Sequence, residues 1–322
     1  MSLGTNDKTP LMTRLYTSER DRVWEQNFGV NTIVVDSAQR AVQICLELLN
    51  SGVKGFPVVM PVTAPPAVVG GVLRSGAVPL LLDIDPYTLD MDVSLFKEAV
   101  KEFGDGMVTL FCEIPGQPVD PNLQACLHAH SVTLLYSSTY PRDEVGAAPH
   151  TFMIKDLKKL VDKGAVIFHD YEEQLSLLYS ARDGVLGHDA KLTLGQEKEL
   201  AKKLGQDRMV FGTGKKEFDQ LLHAFKGTVV ATLWDHSLYH EEFAIVVPDA
   251  DRAVTKLSAN YFMSRKLINP LHVEPMVAAR YQEKASYPNA ESLTNRIISI
   301  PVLDYAQETL DNLVKLLLEE YA

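Results

Sequence analysis

Several things are scarce in this chain of 322 residues. It has three cysteines, Cys45, Cys112 and Cys126, and no Cys-x-x-Cys spacing among them. That argues against a zinc knuckle, a dithiol redox centre or a disulfide framework. The expected state is free thiols buried in apolar stretches, which points to the cytoplasm. Basic charge is also short: 31 Lys and Arg against 42 Asp and Glu leave a net charge of −11. A binder of phosphate backbones needs a basic surface, so nucleic acid is not an expected partner. No apolar run approaches the roughly 20 residues of a membrane-spanning helix. The longest, over 57–73, is broken by prolines and glycines. The first residues lack the basic and then apolar order of a leader, so no membrane association is expected.

Familiar site signatures are missing too. No G-x-G-x-x-G follows a strand, and there is neither a G-x-x-x-x-G-K-[ST] loop nor a G-x-S-x-G elbow. His236 and His240 stand four apart in HSLYH, a spacing that one helix face could offer to a metal. The preferred reading is a loop entering the strand EEFAIVV, and no metal site is expected. HAH at 128–130 reads as the polar end of a helix. The acidic run DIDPYTLDMD (83–92) lacks the glycine and final glutamate of a calcium loop, and reads as a loop that caps the next helix through Asp92.

What is present is alternation. Helical spacing over 38–49 is followed by a strand at 55–61 and a proline-started helix at 64–76. A strand at 78–85, a helix at 92–104, a strand at 106–113, a helix at 120–130 and a strand at 132–137 continue the series. A strand at 164–170 and a helix ending at Gly184 come next. Strand and helix in turn imply a mostly parallel sheet covered on both faces. Residues 188–225 read as polar and helical, with 194–208 a solvated helix. The tail is α+β: strands at 228–234, 241–247 and 296–302, and helices at 249–265 and 306–321. The expected fold class is α/β: a large domain over 1–225 and a smaller C-terminal α+β domain over 226–322.

Five stretches together resemble the DegT/DnrJ/EryC1/StrS sugar aminotransferases. They are VVMPVTAPPAVVGGVLRSGAVPLLLDIDPYTLDMDVSLFKEAV (58–100), GQPVD (116–120), KGAVIFHDYEEQLSLLYSARDGV (163–185), HSLYHEEFAIVVPDADRAV (236–254) and YPNAESLTNRIISIPV (287–302). The resemblance touches most of the chain, with 186–235 the exception. It implies a type I pyridoxal-phosphate (PLP) transferase fold, PLP as cofactor, a sugar-nucleotide-like ligand and a homodimer.

It also implies a site, which can be followed residue by residue. The Schiff-base lysine corresponds to Lys155, nine residues before Gly164. The glycine-rich turn beyond it is replaced by KKLVDK, so the alternative is a helix with Lys155, Lys158 and Lys159 on its surface. Ser137 stands where the acid against the pyridine nitrogen is expected, and Tyr140 where a glutamine or histidine is expected. A hydroxyl can bond that nitrogen but cannot hold its proton as a carboxylate does. Ser37, in VVDSAQRAV (34–42), corresponds to the phosphate cradle, with Asp36 bringing negative charge beside it; its other role is to cap the helix. Val62, Thr63, Ala64 and Pro65 replace the loop whose aromatic stacks on the ring, leaving Thr63 as a cofactor contact there. Thr151 is a second candidate for the phosphate.

Three functions follow from these residues. The first is a divergent PLP-dependent sugar-nucleotide aminotransferase with an eroded cofactor site. The second is a non-catalytic member without PLP, acting as a partner subunit or a binder of small ligands. The third, a PLP-independent enzyme using the hydroxyl-lined cleft, has no positive feature in its favour.

Overall fold

The computed structural model of the chain describes residues 32–49, 53–104, 107–112, 120–130, 134–137, 152–157, 164–169, 172–184, 189–206, 215–228, 231–232, 242–278 and 286–321. Its first part alternates as the sequence predicts. In order come β1 (Thr32–Val35), α1 (Ala38–Leu49), β2 (Pro57–Pro61), α2 (Pro66–Arg74), β3 (Val78–Leu82), α3 (Val93–Phe103), β4 (Val108–Cys112), α4 (Pro121–Ala129), β5 (Leu134–Ser137), β6 (Phe152–Asp156), β7 (Ala165–Phe168) and α5 (Glu172–Arg182).

The seven strands form one sheet in the order β1-β7-β6-β5-β4-β2-β3. All neighbours are parallel except at β7, which runs antiparallel to both β1 and β6. The other six strands therefore end at one edge. Both faces are covered, so the strands are apolar on both. Val58, Met60, Val108 and Leu110 pack into a core with α1, α2 and α5. Val59 and Phe111 face the other way, into a core with Phe96 and Ala99 of α3 and Leu123 and Leu127 of α4.

The helices begin where short polar side chains or proline satisfy the first turn. Asp92 accepts from the Ser94 and Leu95 N–H groups to cap α3, as expected. Asp120 does the same for α4, whose far end carries His128 and His130. Helix α2 carries Gly70 and Gly71 in its middle, where glycine is a poor helix former. The reason is contact with α1: a Cβ at Gly71 would lie 2.6 Å from the Gln39 carbonyl oxygen and 2.6 Å from Val42 Cβ. Backbone cannot give way there as a flexible side chain can. Gly71→Ala is expected to lower stability by about 1–3 kcal/mol, outweighing the roughly 1 kcal/mol gained in helix propensity. A urea titration would show it as a lower midpoint at unchanged slope.

Helices α6 (Leu194–Gln206) and α7 (Lys215–Phe225) follow. Next are β8 (Ala231–Thr232), β9 (Glu242–Val246), α8 (Ala250–Ala259), β10 (Arg265–Lys266), a 3₁₀ turn (Leu271–Val273), α9 (Pro275–Ala278), α10 (Pro288–Thr294), β11 (Ile297–Pro301) and α11 (Gln307–Leu318). These four strands form a second, antiparallel sheet in the order β10-β11-β9-β8. Its core holds Phe243, Ile245, Ile298 and Ile300 with Leu257, Leu310 and Leu313. Helix α7 falls within the first of the two expected domains, yet its Phe218, Leu221 and Phe225 are buried in this second core, with the Phe218 and Phe225 rings against Phe243.

Three strands, β1, β6 and β10, have no counterpart among the expected elements, and most of the others run shorter than their apolar patterns. All three cysteines are free; Cys45 and Cys112 are buried and Cys126 is half-buried. Burial pushes the Cys45 thiol up, so it is inert as a nucleophile. Burial also raises Tyr287, Tyr305 and Tyr321 above the usual phenol value of 10.0. A raised acid keeps its proton in the folded state after the unfolded chain has lost its own. Its stabilisation is therefore complete below pH 10 and is lost as pH rises through the folded values. The melting temperature is expected to fall as pH rises above about 10, and Tyr287→Phe to reduce that fall.

Candidate functional site

The sheet topology gathers the sequence-predicted residues at one edge. Ser37 follows β1, Thr63 follows β2, Ser137 ends β5, and Lys155 is the penultimate residue of β6. All four strands run the same way. They reach the carboxyl edge of the sheet, where open α/β folds bind their ligands.

Lys155 pairs in register with Ser137 on one side and with Val166 on the other. Val166 pairs in turn with Val34. Lys155 is buried, at 7% exposure. This overturns the alternative of a surface lysine on a helix: residue 155 lies in a strand with a strand on each side. A lysine in the middle of a covered sheet has lost much of its hydration, and its charge needs a partner there. By strand spacing, β1 lies about 10 Å from β6 and β2 about 14 Å from it on the other side. These distances suit a ligand spanning several strands. Lys158 and Lys159, with Tyr140, Thr151 and the HSLYH segment, lie outside the described residues.

The turn after β1 is built from Asp36 and Ser37. The Ser37 hydroxyl donates to Asp36 Oδ1 at 2.8 Å and accepts from the Arg40 N–H at 3.3 Å. The Ser37 carbonyl accepts from the Ala41 N–H at 2.9 Å. Ser37 is thus the N-terminal cap of α1, the second of the two roles its position allowed. The Asp36 N–H donates to the Ala190 carbonyl at 2.8 Å, which fixes the turn against the segment ahead of α6.

Thr63 is half-buried in the β2–α2 turn. The C-terminal unit closes over this turn: the Leu271 N–H donates to the Val62 carbonyl at 2.7 Å. Next to it His272 Nε2 lies 3.0 Å from Glu291 Oε1, and its ring packs on Tyr287 with centroids 4.9 Å apart.

The joint between the two units is made by Asp83, which sequence reasoning placed in a capping loop without a role of its own. Its buried carboxylate accepts from the N–H groups of Ile84 (2.9 Å), Asn289 (2.9 Å) and Ala290 (3.0 Å). Asn289 Nδ2 returns a bond to the Ile84 carbonyl at 2.8 Å. Val62, Ile84 and Leu89 extend into the second core; Leu89 adopts φ 61°, held by its N–H bond to the Asp85 carbonyl at 2.8 Å. The other acids of the run bind backbone as well: Asp85 accepts from Tyr87 and Thr88, and Asp90 from Asp120. They hold a loop together, as the loop reading expects.

His169 is buried at the opposite edge, just beyond β7, with its ring 4.2 Å from that of Phe152. It is a core histidine, away from the edge that carries Lys155.

A seven-stranded sheet with one antiparallel strand, and a small antiparallel sheet bonded onto its carboxyl edge, is the fold of the type I PLP transferases. The structure of Helicobacter pylori PseC, an aminotransferase of pseudoaminic acid biosynthesis, is similar with a TM-score of 0.77 at 14% identity, covering 99% of this chain and 97% of that one. The sugar aminotransferase CalS13 from Micromonospora echinospora matches with a TM-score of 0.73 at 13% identity, over 97% and 92% of the two chains. A GDP-4-keto-6-deoxymannose-3-dehydratase with a trapped PLP–glutamate geminal diamine gives 0.73 at 14%, over 96% and 92%. In sequence, residues 25–139 match the model of the DegT/DnrJ/EryC1/StrS aminotransferase family. A pleiotropic regulatory protein of Geobacillus stearothermophilus is 24% identical, over 75% of this chain and 72% of that one. The resemblance read from the motifs is borne out: residues 25–139 match the family model, and the fold is that of the sugar aminotransferases named above. Among the described residues, no helix is long and apolar enough to cross a membrane.

Proposed function

We propose that this chain is a divergent sugar-aminotransferase-like enzyme whose reactive amine is Lys155. The observation that carries the reading is the placement of that lysine: buried, in the central part of the sheet, at the edge where Ser37, Thr63 and Ser137 also arrive. PLP would supply an aldehyde and an electron-withdrawing ring. Its fit to this site differs between its two ends. A buried lysine suits the aldehyde. The turn at α1, which would meet the phosphate, carries the Asp36 carboxylate and does not suit an anion.

The chain's own residues have limited means. Lys155 is the group that can condense with a carbonyl and afterwards carry a proton. Ser137, beside it in register, offers no carboxylate to keep a ring nitrogen protonated. Thr63 and the Leu271–Val273 turn form a wall between the two units, suited to the polar part of a long ligand. By analogy with the similar structures the substrate is a keto-sugar nucleotide and the active form a homodimer. Free cysteines support a cytoplasmic setting. We propose a boundary between the two units that lies between α6 and α7, since α7 packs with the second sheet.

The test is amine transfer from an amino acid to a keto-sugar nucleotide by protein preincubated with PLP. Turnover is expected to be slow but to depend on Lys155. The Asp36–Ser37 bond favours a second reading, a non-catalytic family member. Complete absence of turnover across keto-sugar nucleotides, with no ligand-dependent change in the spectrum, would select it.

A further inference from the structure

The disagreement at the phosphate end concerns protons as well as charge. A serine hydroxyl has one proton to give, and that of Ser37 goes to Asp36 Oδ1 at 2.8 Å. What remains on Ser37 is acceptor capacity, part of which already takes the Arg40 N–H. A phosphate dianion needs donors, and here it would meet an acceptor beside a carboxylate. Helix α1 is 12 residues long, so its N-terminus has a full dipole. The carboxylate beside that N-terminus is Asp36, bonded to the Ser37 cap.

We propose that Asp36 takes the place of the cofactor phosphate at the start of α1. The chain then holds a pyridoxal-type aldehyde through its carbonyl end alone, and the phosphate adds nothing to affinity. This rests on the reading of Lys155 as the reactive amine. It goes beyond that reading by naming the chemical class preferred: a carbonyl ligand without need of a phosphate, held weakly enough to exchange.

The test compares pyridoxal with PLP by equilibrium titration, in the wild-type chain and in Asp36→Asn. The asparagine keeps an oxygen to accept the Ser37 proton while removing the charge; Asp36→Ser serves as a second variant. The wild type is expected to bind the two aldehydes with equal affinity within about twofold. Asp36→Asn is expected to bind PLP at least about tenfold more tightly, with pyridoxal unchanged, since removing a like charge at close range has an effect of this order. Inorganic phosphate should raise the melting temperature of the variant and not that of the wild type. The proposal is overturned if the wild type already prefers PLP tenfold, or if Asp36→Asn leaves the ratio unchanged. If neither aldehyde reacts with Lys155, the reading of Lys155 fails separately. The phosphate titration then decides the role of Asp36: a gain in the variant alone supports it, and equal behaviour of the two proteins overturns it.

Discussion

Replacing Lys155 with alanine is expected to abolish the PLP-dependent visible absorption and to lower amine transfer by at least about a thousandfold, as removal of a covalent nucleophile does. Lys155→Arg should do the same, since guanidinium keeps the charge but does not condense with an aldehyde. A structural role for the residue would give a different pattern. Arginine would then rescue, and alanine would reduce spectrum and stability together. The structural argument is that Lys155 lies in β6 between Ser137 and Val166, buried to 7% exposure. Spectra of the two variants, with circular dichroism to confirm folding, separate the possibilities.

Asp83→Ala is expected to cost about 3–5 kcal/mol of stability. The carboxylate accepts three backbone N–H bonds, two of them from Asn289 and Ala290 at the start of α10. Hydrogen bonds to a charged group contribute about 1.5–3 kcal/mol each, and the buried donors left behind carry a penalty of their own. Asp83→Asn should fall between, because one oxygen persists while its amide opposes an N–H donor. Against a total stability of about 5–15 kcal/mol this is a large share. The loss should also reach the cleft. Helix α10 carries Glu291, which pairs with His272 beside the turn that bonds to Val62. A urea midpoint reads the stability. A raised KM for a sugar-nucleotide substrate, with kcat less affected, would read the loosened wall. An unchanged midpoint would show that the joint is held by the shared core of Val62, Ile84 and Leu89 instead.

Much of the architecture was legible because most helices and most strands carry local signals. Asp92 and Asp120 mark starts, Pro66 fits a first turn, and Gly104 stops α3 at φ 68°. β1 was hidden because TIVV is a run of only four residues. β6 was hidden for a more instructive reason: a lysine inside FMIKD, followed by further lysines, looks like a solvated helix. The residue that obscured the strand is the one the proposed site depends on, as happens where function departs from local pattern. The role of Asp83 could not be read at all, since its partners lie 206 and 207 residues away. Ser37 could be read as cap or cradle, and only its bond to Asp36 shows what its proton does.

The most direct test of the account is reductive labelling of the wild-type chain. The protein is mixed with PLP, treated with borohydride and digested, and the modified peptides are identified by mass spectrometry. The account predicts one stoichiometric label, on Lys155. Label spread over exposed lysines such as Lys54 and Lys191, with none on Lys155, would contradict it and leave the fold without the chemistry of its relatives.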